Sequence, residues 1–447
     1  MERTYLIRTF GCQMNEHDSE RIGGVLVADG MTPTDDIGEA RVIVLNTCAI
    51  RENADNKLYG NLGHLKPLKE RDPSRRIVVS GCLAQKDRGE IQRRAPWVDV
   101  VIGTHALPQL LGLLRASETE GPQMDVREYT ETFPSALPAA RGDRFRAWVS
   151  IAPGCDNGCT FCIVPLVRGP QRSRSIGDIL AEVQGLVARG AVEITLLGQN
   201  VNTFGRDVTV PESSRRPLFA RLLREVDGVA GLRRVRFTSP HPHDFTPDVI
   251  DAMAECESVC EHIHFPLQSG SDAVLRRMRR SYRRDRYLAW LERIRDAIPG
   301  IAVSTDVIVG FPGETEHDFE QTLEVVEHAR FDSAFMFQYS PRPGTAAASF
   351  DDQVPKPVVQ ARFDRLVAIQ QRISLERARD QVGRTFEILV EGADKKGRST
   401  QARTRTNRIV HLQDPAEPGT FAQATITAAS AHHLAGRIAT APDVVAV

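Results

Sequence analysis

The chain has 447 residues, which is enough for about three domains. Hydrophobic residues make up 41% of it and charged residues 26%, as is usual for a globular protein, and the formal net charge of -1 neither indicates nor excludes a nucleic-acid partner. No apolar run is long enough to cross a bilayer, so we expect no membrane partner and a cytoplasmic location, where cysteines bind metals more often than they form disulfides.

The amino-terminal part of the chain repeats one pattern, an apolar run that reads as a buried strand and ends at a cysteine. The three cysteines are Cys12, Cys48 and Cys82, named here the strand-end cysteines. Their spacing of about 35 residues fits βαβ units. Because the carboxyl ends of parallel strands gather ligand sites, we expect these cysteines to converge on a cluster site. The alternative is three buried cysteines in unrelated turns.

A second group of cysteines lies in one short loop. These are Cys155, Cys159 and Cys162, named here the loop cysteines, separated by three and then two residues. A structural zinc ion needs four ligands, whereas a 4Fe-4S cube is normally held by four thiolates, so three thiolates leave one iron open to another ligand. Phe161 places a flat apolar ring just before the last cysteine. A zinc site or purely structural cysteines are the alternative.

The composition predicts three domains and a linker. The first domain is predicted for 1–116, and the segment 117–144, rich in Pro, Gly, Ser and Glu, indicates a linker or else a loop within one domain. From 145 to 378 strand and helix patterns alternate, which predicts an α/β core with a parallel sheet or partial barrel of βα units. Its predicted strands are 146–151, 193–197, 234–238, 262–267, 302–309 and 331–338.

Small or polar residues follow four of the predicted core strands. These segments are 197–205, 239–243, 268–271 and 310–314. Each segment alone is typical of a turn. Their recurrence at one rim of the sheet argues for a shared site that binds the polar groups of a cofactor.

Short motifs along the whole chain form a set. They are Gly-Cys-Gln-Met-Asn at 11–15 with His-Asp-Ser-Glu at 17–20, Asn-Thr-Cys at 46–48, Ser-Gly-Cys at 80–82, the cysteine loop at 155–162 continuing into Ile-Val-Pro at 163–165 and Arg-Gly at 168–169, Gln-Asn-Val-Asn at 199–202, Gln-Ser-Gly-Ser at 268–271, Ser-Thr-Asp at 304–306, Gly-Phe-Pro-Gly-Glu at 310–314 and Ser-Pro-Arg-Pro-Gly-Thr at 340–345. With these motifs the chain resembles the methylthiotransferase family of radical S-adenosylmethionine (SAM) enzymes, and most closely the type that acts on dimethylallyladenosine in tRNA. The resemblance implies an amino-terminal parallel α/β domain, a partial-barrel radical SAM core and a carboxyl-terminal TRAM domain.

The resemblance also implies two 4Fe-4S clusters and SAM as cofactors. The cluster on the loop cysteines would split SAM and make the radical that removes the hydrogen from carbon 2 of an adenine. The cluster on the strand-end cysteines would hold or supply the sulfur, which a second SAM methylates. No side chain is expected to act as a general base, because cofactors carry this chemistry. The residues expected near SAM are Phe161, Gly198, Gln199, Gln268, Ser269, Val309 and Gly310.

The implied substrate is N(6)-dimethylallyladenosine at position 37, next to the anticodon. The implied partners are therefore the anticodon stem-loop of tRNA, an electron donor, and a sulfur or cluster donor; the sequence identifies neither donor. Within the family the alternatives are threonylcarbamoyl-adenosine in tRNA or an aspartate of a ribosomal protein. An alternative of another class is a non-catalytic iron-sulfur protein that binds tRNA or passes electrons.

Two basic segments bear on the RNA partner. Seven arginines lie within 276–286 with only Asp285 against them, which favours phosphate contact over a solvated helix face. Strand-like runs beyond a helix at 358–381 predict a small antiparallel β-barrel for 379–447, a fold that often binds RNA. Its basic residues, which we expect to bind the tRNA unless they are ordinary charged surface, are Lys395, Lys396, Arg398, Arg403, Arg405 and Arg408.

Four histidines and two further cysteines are interpreted as structural. His241, His243, His262 and His264 are predicted to line the barrel or stabilise loops rather than bind a metal. Cys256 and Cys260, four residues apart, are predicted to lie as a buried pair on one helix face after Pro247.

Overall fold

The structure is a computed structural model that describes residues 3–49, 52–128, 133, 136–208, 217–394 and 397–439; of 52–56 only the helical backbone is described. In these ranges no helix has both the length and the apolar character needed to cross a membrane.

The amino-terminal domain is a parallel six-stranded sheet with helices on its faces. The strands are β1 Thr4–Phe10, β2 Thr32–Pro33, β3 Val42–Thr47, β4 Arg76–Gly81, β5 Val100–Ile102 and β6 Gln123–Asp125, and their order is β2-β1-β3-β4-β5-β6. The helices are α1 Gln13–Ala28, α2 Glu52–Arg71, α3 Cys82–Asp87, α4 Glu90–Arg94 and α5 Leu110–Thr119. Helices cover both faces of this sheet, which explains why β1, β3 and β4 read as near-continuous apolar runs.

The predicted linker 117–144 needs correction, because part of it belongs to the first domain. β6 lies inside this segment and pairs with β5. Further on, the Ala140 N–H donates to the Glu20 carbonyl (2.8 Å), and Arg21 Nη1 donates to the Leu137 carbonyl (2.6 Å). A three-residue edge strand pairs through its backbone and leaves no side-chain periodicity in the sequence.

The core domain consists of two parallel three-stranded sheets that follow one another around a half-barrel. The first has β7 Arg146–Ala152, β8 Glu193–Gly198 and β9 Arg234–Phe237, and the second has β10 His262–His264, β11 Ala302–Val309 and β12 Ser333–Gln338. The helices are α6 Val164–Arg168, α7 Ile176–Val187, α8 Phe219–Asp227, α9 Pro247–Glu255, α10 Asp272–Arg277, α11 Arg284–Ala297, α12 Glu316–Ala329 and α13 Lys356–Arg379. The predicted partial barrel is confirmed, and its strands end at one rim.

Alternation along the strands separates a helix-facing core from a lumen. Val303 and Val307 of β11 belong to the apolar cluster shared with the surrounding helices. Since successive side chains of a strand point to opposite faces, Ser304 and Asp306 face the lumen.

The carboxyl-terminal barrel closes with five strands. They are β13 Thr385–Ala393, β14 Thr400–Thr404, β15 Ile409–Leu412, β16 Phe421–Ala429 and β17 Leu434–Ile438, in the order β13-β14-β15-β17-β16. The predicted barrel is confirmed, but it is mixed rather than purely antiparallel, because β15 and β17 pair in parallel.

The carboxyl-terminal barrel sits at the amino ends of the core strands, opposite the rim. Arg236 of β9 donates to the carbonyls of Thr404 and Arg405, both at 2.9 Å. Arg146, at the start of β7, forms an ion pair with Glu391 of β13. The carboxyl-terminal barrel therefore closes the half-barrel at the amino ends of its strands.

Candidate active site

The cysteine loop is fixed to the core by hydrogen bonds to backbone carbonyls. The Cys155 N–H donates to the Gly169 carbonyl (3.1 Å), and Thr160 donates to Met278 through its N–H (3.1 Å) and to Arg277 through its hydroxyl (2.9 Å). Gly154 turns the chain with φ +78°, and a Cβ there would lie 2.0 Å from the Pro170 carbonyl oxygen. Only glycine fits at this position.

The structure places the loop cysteines beside one another. Burial raises the pKa of Cys155 to about 11 and that of Cys162 to about 12, and the charge of neighbouring loop cysteines acts in the same direction. Arg280 Nη1 donates to Cys159 Sγ at 3.5 Å. Three thiols with one cation in contact match the donor set of a cube that binds three thiolates.

The strand-end cysteines also converge. Cys12 precedes α1, Cys48 follows β3, and Cys82 begins α3 directly after β4. A hydrogen bond with Cys48 lowers the pKa of Cys12 to about 6 against the effect of burial, and the charge of Arg168 contributes. Burial raises the pKa of Cys82. The βαβ spacing of the sequence thus corresponds to one site at the carboxyl edge of the sheet.

Two asparagines connect the segments that carry the strand-end cysteines. Asn15 Nδ2 donates to Asn46 Oδ1 (3.2 Å), and Asn46 Nδ2 donates to the Asn15 carbonyl (2.8 Å) and to Ser19 Oγ (2.8 Å). Both asparagines are fully buried. They hold the start of α1 against the end of β3 and so fix Cys12 relative to Cys48.

Arg168 links the two cysteine groups. It lies at the end of α6, and its Nε donates to Cys82 Sγ at 3.3 Å, while its Nη2 lies 2.7 Å from Asp18 Oδ2. α6 begins at Val164, two residues after Cys162, and rises about 6 Å to Arg168 at about 1.5 Å per residue. The two groups are therefore neighbours. The cation roles of Arg168 and Arg280 were not predicted, because both contacts depend on tertiary structure.

Both cysteine groups fit a 4Fe-4S cluster by the chemistry of their donors. Within the described ranges no three His, Cys, Asp or Glu side chains meet closely enough to hold a single metal ion. In a cube each thiolate binds a different iron, so the thiols of a cluster site need not meet at one point. Each group supplies three thiols and one adjacent arginine, whose charge favours the thiolate form.

The residues expected near SAM lie along the rim on both sides of the lumen. Gly198 ends β8, and half-buried Gln199 follows it. Gln268 has φ +67° and pairs with β11: its N–H donates to Asp306 (2.8 Å), and its carbonyl accepts from Ile308 (2.9 Å).

Three other residues expected near SAM stay predictions, but the structure limits which of their groups a ligand could contact. The Ser269 side chain is fully buried, and its hydroxyl lies 3.3 Å from Thr322 Oγ1, so it faces the protein rather than the site. The side chain of Val309 belongs to the helix-facing core, which leaves only its backbone for a ligand. The Gly310 N–H donates to Glu314 Oε2 (2.8 Å) and is therefore already used.

Phe161 faces an apolar cluster next to the loop cysteines. Its ring meets that of Phe311 edge to face, with 6.5 Å between the centroids. The ring is half-buried, so part of it is accessible.

The histidines and the remaining cysteines lie at structural positions. His264 hydrogen-bonds Ser304 (3.0 Å) in the lumen, and burial lowers the pKa of His241 to about 2. Cys256 and Cys260 are both buried, but α9 ends at Glu255, so the prediction that they share a helix face was wrong.

Three of the four expected RNA-binding residues that the structure describes are paired with acids. Arg403 contacts Glu391 (2.6 Å), Arg405 contacts Glu261 (2.8 Å), and Arg408 forms an ion pair with Asp332. The acids lie outside the basic segment, which is why the sequence did not reveal them. These three arginines are not free for phosphate. Arg398 is exposed, and Lys395 and Lys396 lie outside the described residues.

The arginines of 276–286 divide into structural and exposed members. Arg277 binds Asp352 through two 2.7 Å contacts, and Arg284 contacts Glu324 (3.2 Å). Arg276, Arg279 and Arg283 are exposed and have no carboxylate partner among the described residues. A cavity of about 500 Å³ beside them is lined by Asp272, Arg276, Arg280, Ser281, Tyr282, Arg283, Asp285 and Arg286.

Family models match three successive parts of the chain. They are the Uncharacterized protein family UPF0004 at residues 4–103, the Radical SAM superfamily at 149–326 and the TRAM domain at 379–439. The chain is also similar to the solved radical S-adenosylmethionine methyltransferase TsrM from Kitasatospora setae, with TM-score 0.56 and 13% identity over 78% of this chain and 77% of that one. It matches the cobalamin-dependent radical enzyme OxsB with TM-score 0.52 and 12% identity over 95% and 65% of the two chains. At these identities the two structures show the fold alone.

A radical SAM core that follows a cysteine-bearing UPF0004 domain and precedes a TRAM domain defines a radical SAM methylthiotransferase. Curated relatives specify the reaction. The chain is 55% identical to the tRNA-2-methylthio-N(6)-dimethylallyladenosine synthase of Kineococcus radiotolerans over 97% of this chain and 88% of the relative, and 57% identical to that of Streptomyces viridosporus over 97% and 86%. The chain belongs to the tRNA-2-methylthio-N(6)-dimethylallyladenosine synthases. As a radical SAM enzyme it uses SAM and a 4Fe-4S cluster, and its substrate is tRNA.

Proposed function

We propose that this enzyme works with two 4Fe-4S clusters, one on the loop cysteines and one on the strand-end cysteines. It adds a 2-methylthio group to N(6)-dimethylallyladenosine at position 37, next to the anticodon. The observation that supports this is the short α6, which begins two residues after Cys162 and ends at Arg168, whose Nε contacts Cys82 Sγ. A radical formed at one group and sulfur held at the other can then reach the same base.

The side chains around both sites prepare them for anionic ligands. Arg280 lies beside Cys159 and Arg168 beside Cys82, so each group has one cation next to a thiol, and the thiolate is the form that binds iron. Burial raises the pKa of Cys155 and Cys162, so the charge of Arg280, which lowers both, acts against burial at this site. When bound, the loop cluster and SAM supply the radical that removes the hydrogen from carbon 2, and the strand-end cluster supplies sulfur. Gln199 and Gln268, at the rim, are proposed to contact SAM.

The proposal extends to the partners. The anticodon stem-loop is the part of tRNA that must reach the site, and an electron donor and a sulfur or cluster donor complete the reaction. A cytoplasmic location rests on the tRNA substrate alone. Arg403, Arg405 and Arg408 are paired with acids. Among the described members of the predicted RNA-binding set, Arg398 is therefore the one available to bind phosphate.

Two cysteine variants test the division of labour between the clusters. Cys159→Ala is expected to abolish SAM cleavage in the reduced, reconstituted protein. Cys48→Ala is expected to retain cleavage but to yield no methylthio product on tRNA. Cleavage is measured as 5'-deoxyadenosine, and the product by mass spectrometry of nucleosides. Equal cleavage in both variants would contradict separate roles, and absence of 5'-deoxyadenosine from the unaltered protein would favour the non-catalytic alternative.

A further inference from the structure

Two large aromatic side chains lie exposed in the half-barrel. Phe335 and Phe337 of β12 keep 55% and 37% of their surface accessible. The residue between them, Met336, packs against the helix-facing core. Neighbouring exposed apolar side chains of this size indicate an interaction site more than scattered ones do. We name Phe335 and Phe337 the aromatic pair.

The aromatic pair faces the lumen. In the parallel register of β11 and β12, Phe335 stands beside Asp306 and Phe337 beside Ile308, and partners in register point to the same face. The ring of His264 meets Phe335 edge to face at 5.8 Å between centroids. His264 Nε2 lies 3.3 Å from Asp306 Oδ2. Apolar rings and a polar pair thus share one accessible surface.

The strand that carries the aromatic pair connects the two other domains. Just before β12, Asp332 is paired with Arg408 of the carboxyl-terminal barrel. Just after it, Arg342 donates to the carbonyl of Ala49 (3.0 Å), the residue that follows Cys48. Six residues of strand span about 20 Å. An RNA that touches the carboxyl-terminal barrel and presents a base to the clusters passes along β12.

An unpaired nucleobase matches the chemistry of this surface. Single-stranded RNA loops are bound by stacking splayed bases on aromatic side chains and by hydrogen bonds to the base edges. The pair supplies the ring faces, and His264 with Asp306 supplies donor and acceptor atoms. We propose that the aromatic pair is the surface on which an unpaired base of the anticodon loop stacks, an inference that rests on the proposed function.

The stacked base is either the target adenosine or a flanking base, and one experiment distinguishes the two. A synthetic anticodon stem-loop is prepared with the fluorescent base 2-aminopurine at the target position or at a neighbouring loop position. Transfer of the base from the stack of the RNA loop onto a protein ring changes its fluorescence. A fluorescence change that requires Phe335 and Phe337 at one position identifies the stacked base.

Substitutions at Phe335 test the stacking itself. Phe335→Ala is expected to weaken binding of the prenylated stem-loop by about tenfold or more. Phe335→Leu keeps an apolar side chain but no ring, so it should lose as much, whereas Phe335→Trp should bind like the parent. Met124→Ala is the matched control, because Met124 is 49% exposed and lies on β6, the edge strand of the amino-terminal sheet. It should leave the affinity unchanged.

The possible outcomes separate this inference from the proposed function. The aromatic pair would be overturned as the stacking surface if Phe335→Ala and Phe337→Ala both showed the stem-loop affinity and the fluorescence change of the unaltered protein. If the unaltered protein makes no methylthio product on the prenylated stem-loop, the proposed function fails instead. A product from the unaltered protein, with tenfold weaker binding by Phe335→Ala and normal binding by Phe335→Trp, supports both.

Discussion

At the scale of single residues, each cysteine group has one thiol in contact with an arginine that is distant from it in the sequence. Arg280 lies 121 positions from Cys159, and Arg168 lies 86 positions from Cys82. The cysteines could be predicted, because their spacing and their positions after strands are visible in the sequence. The arginines could not, because nothing in the sequence marks one arginine among many as the partner of a thiol. Their contacts are set only when the elements pack together.

Arg168 provides a test of buried charge. It is 5% exposed and pairs with Asp18, which is 2% exposed. Arg168→Leu leaves the Asp18 carboxylate buried without a cation, so we expect the free energy of unfolding to fall by about 3–5 kcal/mol. The measurement is urea unfolding of the apoprotein at neutral pH. Adding Asp18→Asn to Arg168→Leu should restore part of the lost free energy of unfolding.

The matched control is Arg115→Ala. Arg115 also pairs with an aspartate, Asp29 (2.6 Å), but its side chain is 68% exposed. Removal of such a pair is expected to cost less than about 1 kcal/mol. Equal losses of unfolding free energy in the Arg168 and Arg115 variants would show that burial does not increase the contribution of the Arg168–Asp18 pair to stability.

At the scale of elements, the long strands could be predicted and the short ones could not. β3 and β4 are buried on both faces and stand out as apolar runs. β5 is fully buried but only three residues long, and β17 has Gly436 at its centre, which weakens a strand pattern. The parallel pairing of β17 with β15 depends on tertiary packing, so the sequence suggested a purely antiparallel barrel.

Gly154 and Gly158 of the cysteine loop differ in whether the structure has room for a Cβ atom. Gly154→Ala would place a Cβ 2.0 Å from the Pro170 carbonyl oxygen at φ +78°, and backbone atoms cannot yield by that much. We expect this variant to lose the loop cluster and keep the other, so that its iron and sulfide content after reconstitution falls to about half. Gly158→Ala meets no described atom within 4 Å and should retain both clusters. Full iron content in Gly154→Ala would refute the steric argument.

At the scale of the whole molecule, the domains are held together by arginines that looked like an RNA-binding surface. The basic segment of the carboxyl-terminal barrel contains no acid of its own, which is why the sequence predicted phosphate contact. Its partners come from the core, where Glu261 meets Arg405 and Asp332 meets Arg408, and from β13, where Glu391 meets Arg403. Domain arrangement decides which cations remain free, and domain arrangement is the part of the fold that local sequence patterns specify least.

Arg405 and Arg398 should therefore respond differently to salt. Stem-loop affinity is measured from about 50 to 200 mM salt. Each lost phosphate contact lowers, by about 1, the steepness with which log affinity falls against log salt concentration. Exposed Arg398→Ala is expected to lower the slope by about that amount. Arg405→Ala should leave the slope unchanged and instead loosen the docking of the barrel, because it removes the bonds to Glu261 and to the Val259 carbonyl. The looser docking is measured as faster proteolytic cleavage of the chain between α13 and β13. A reduced slope with unchanged proteolysis in Arg405→Ala would instead assign that arginine to the RNA, as the sequence first suggested.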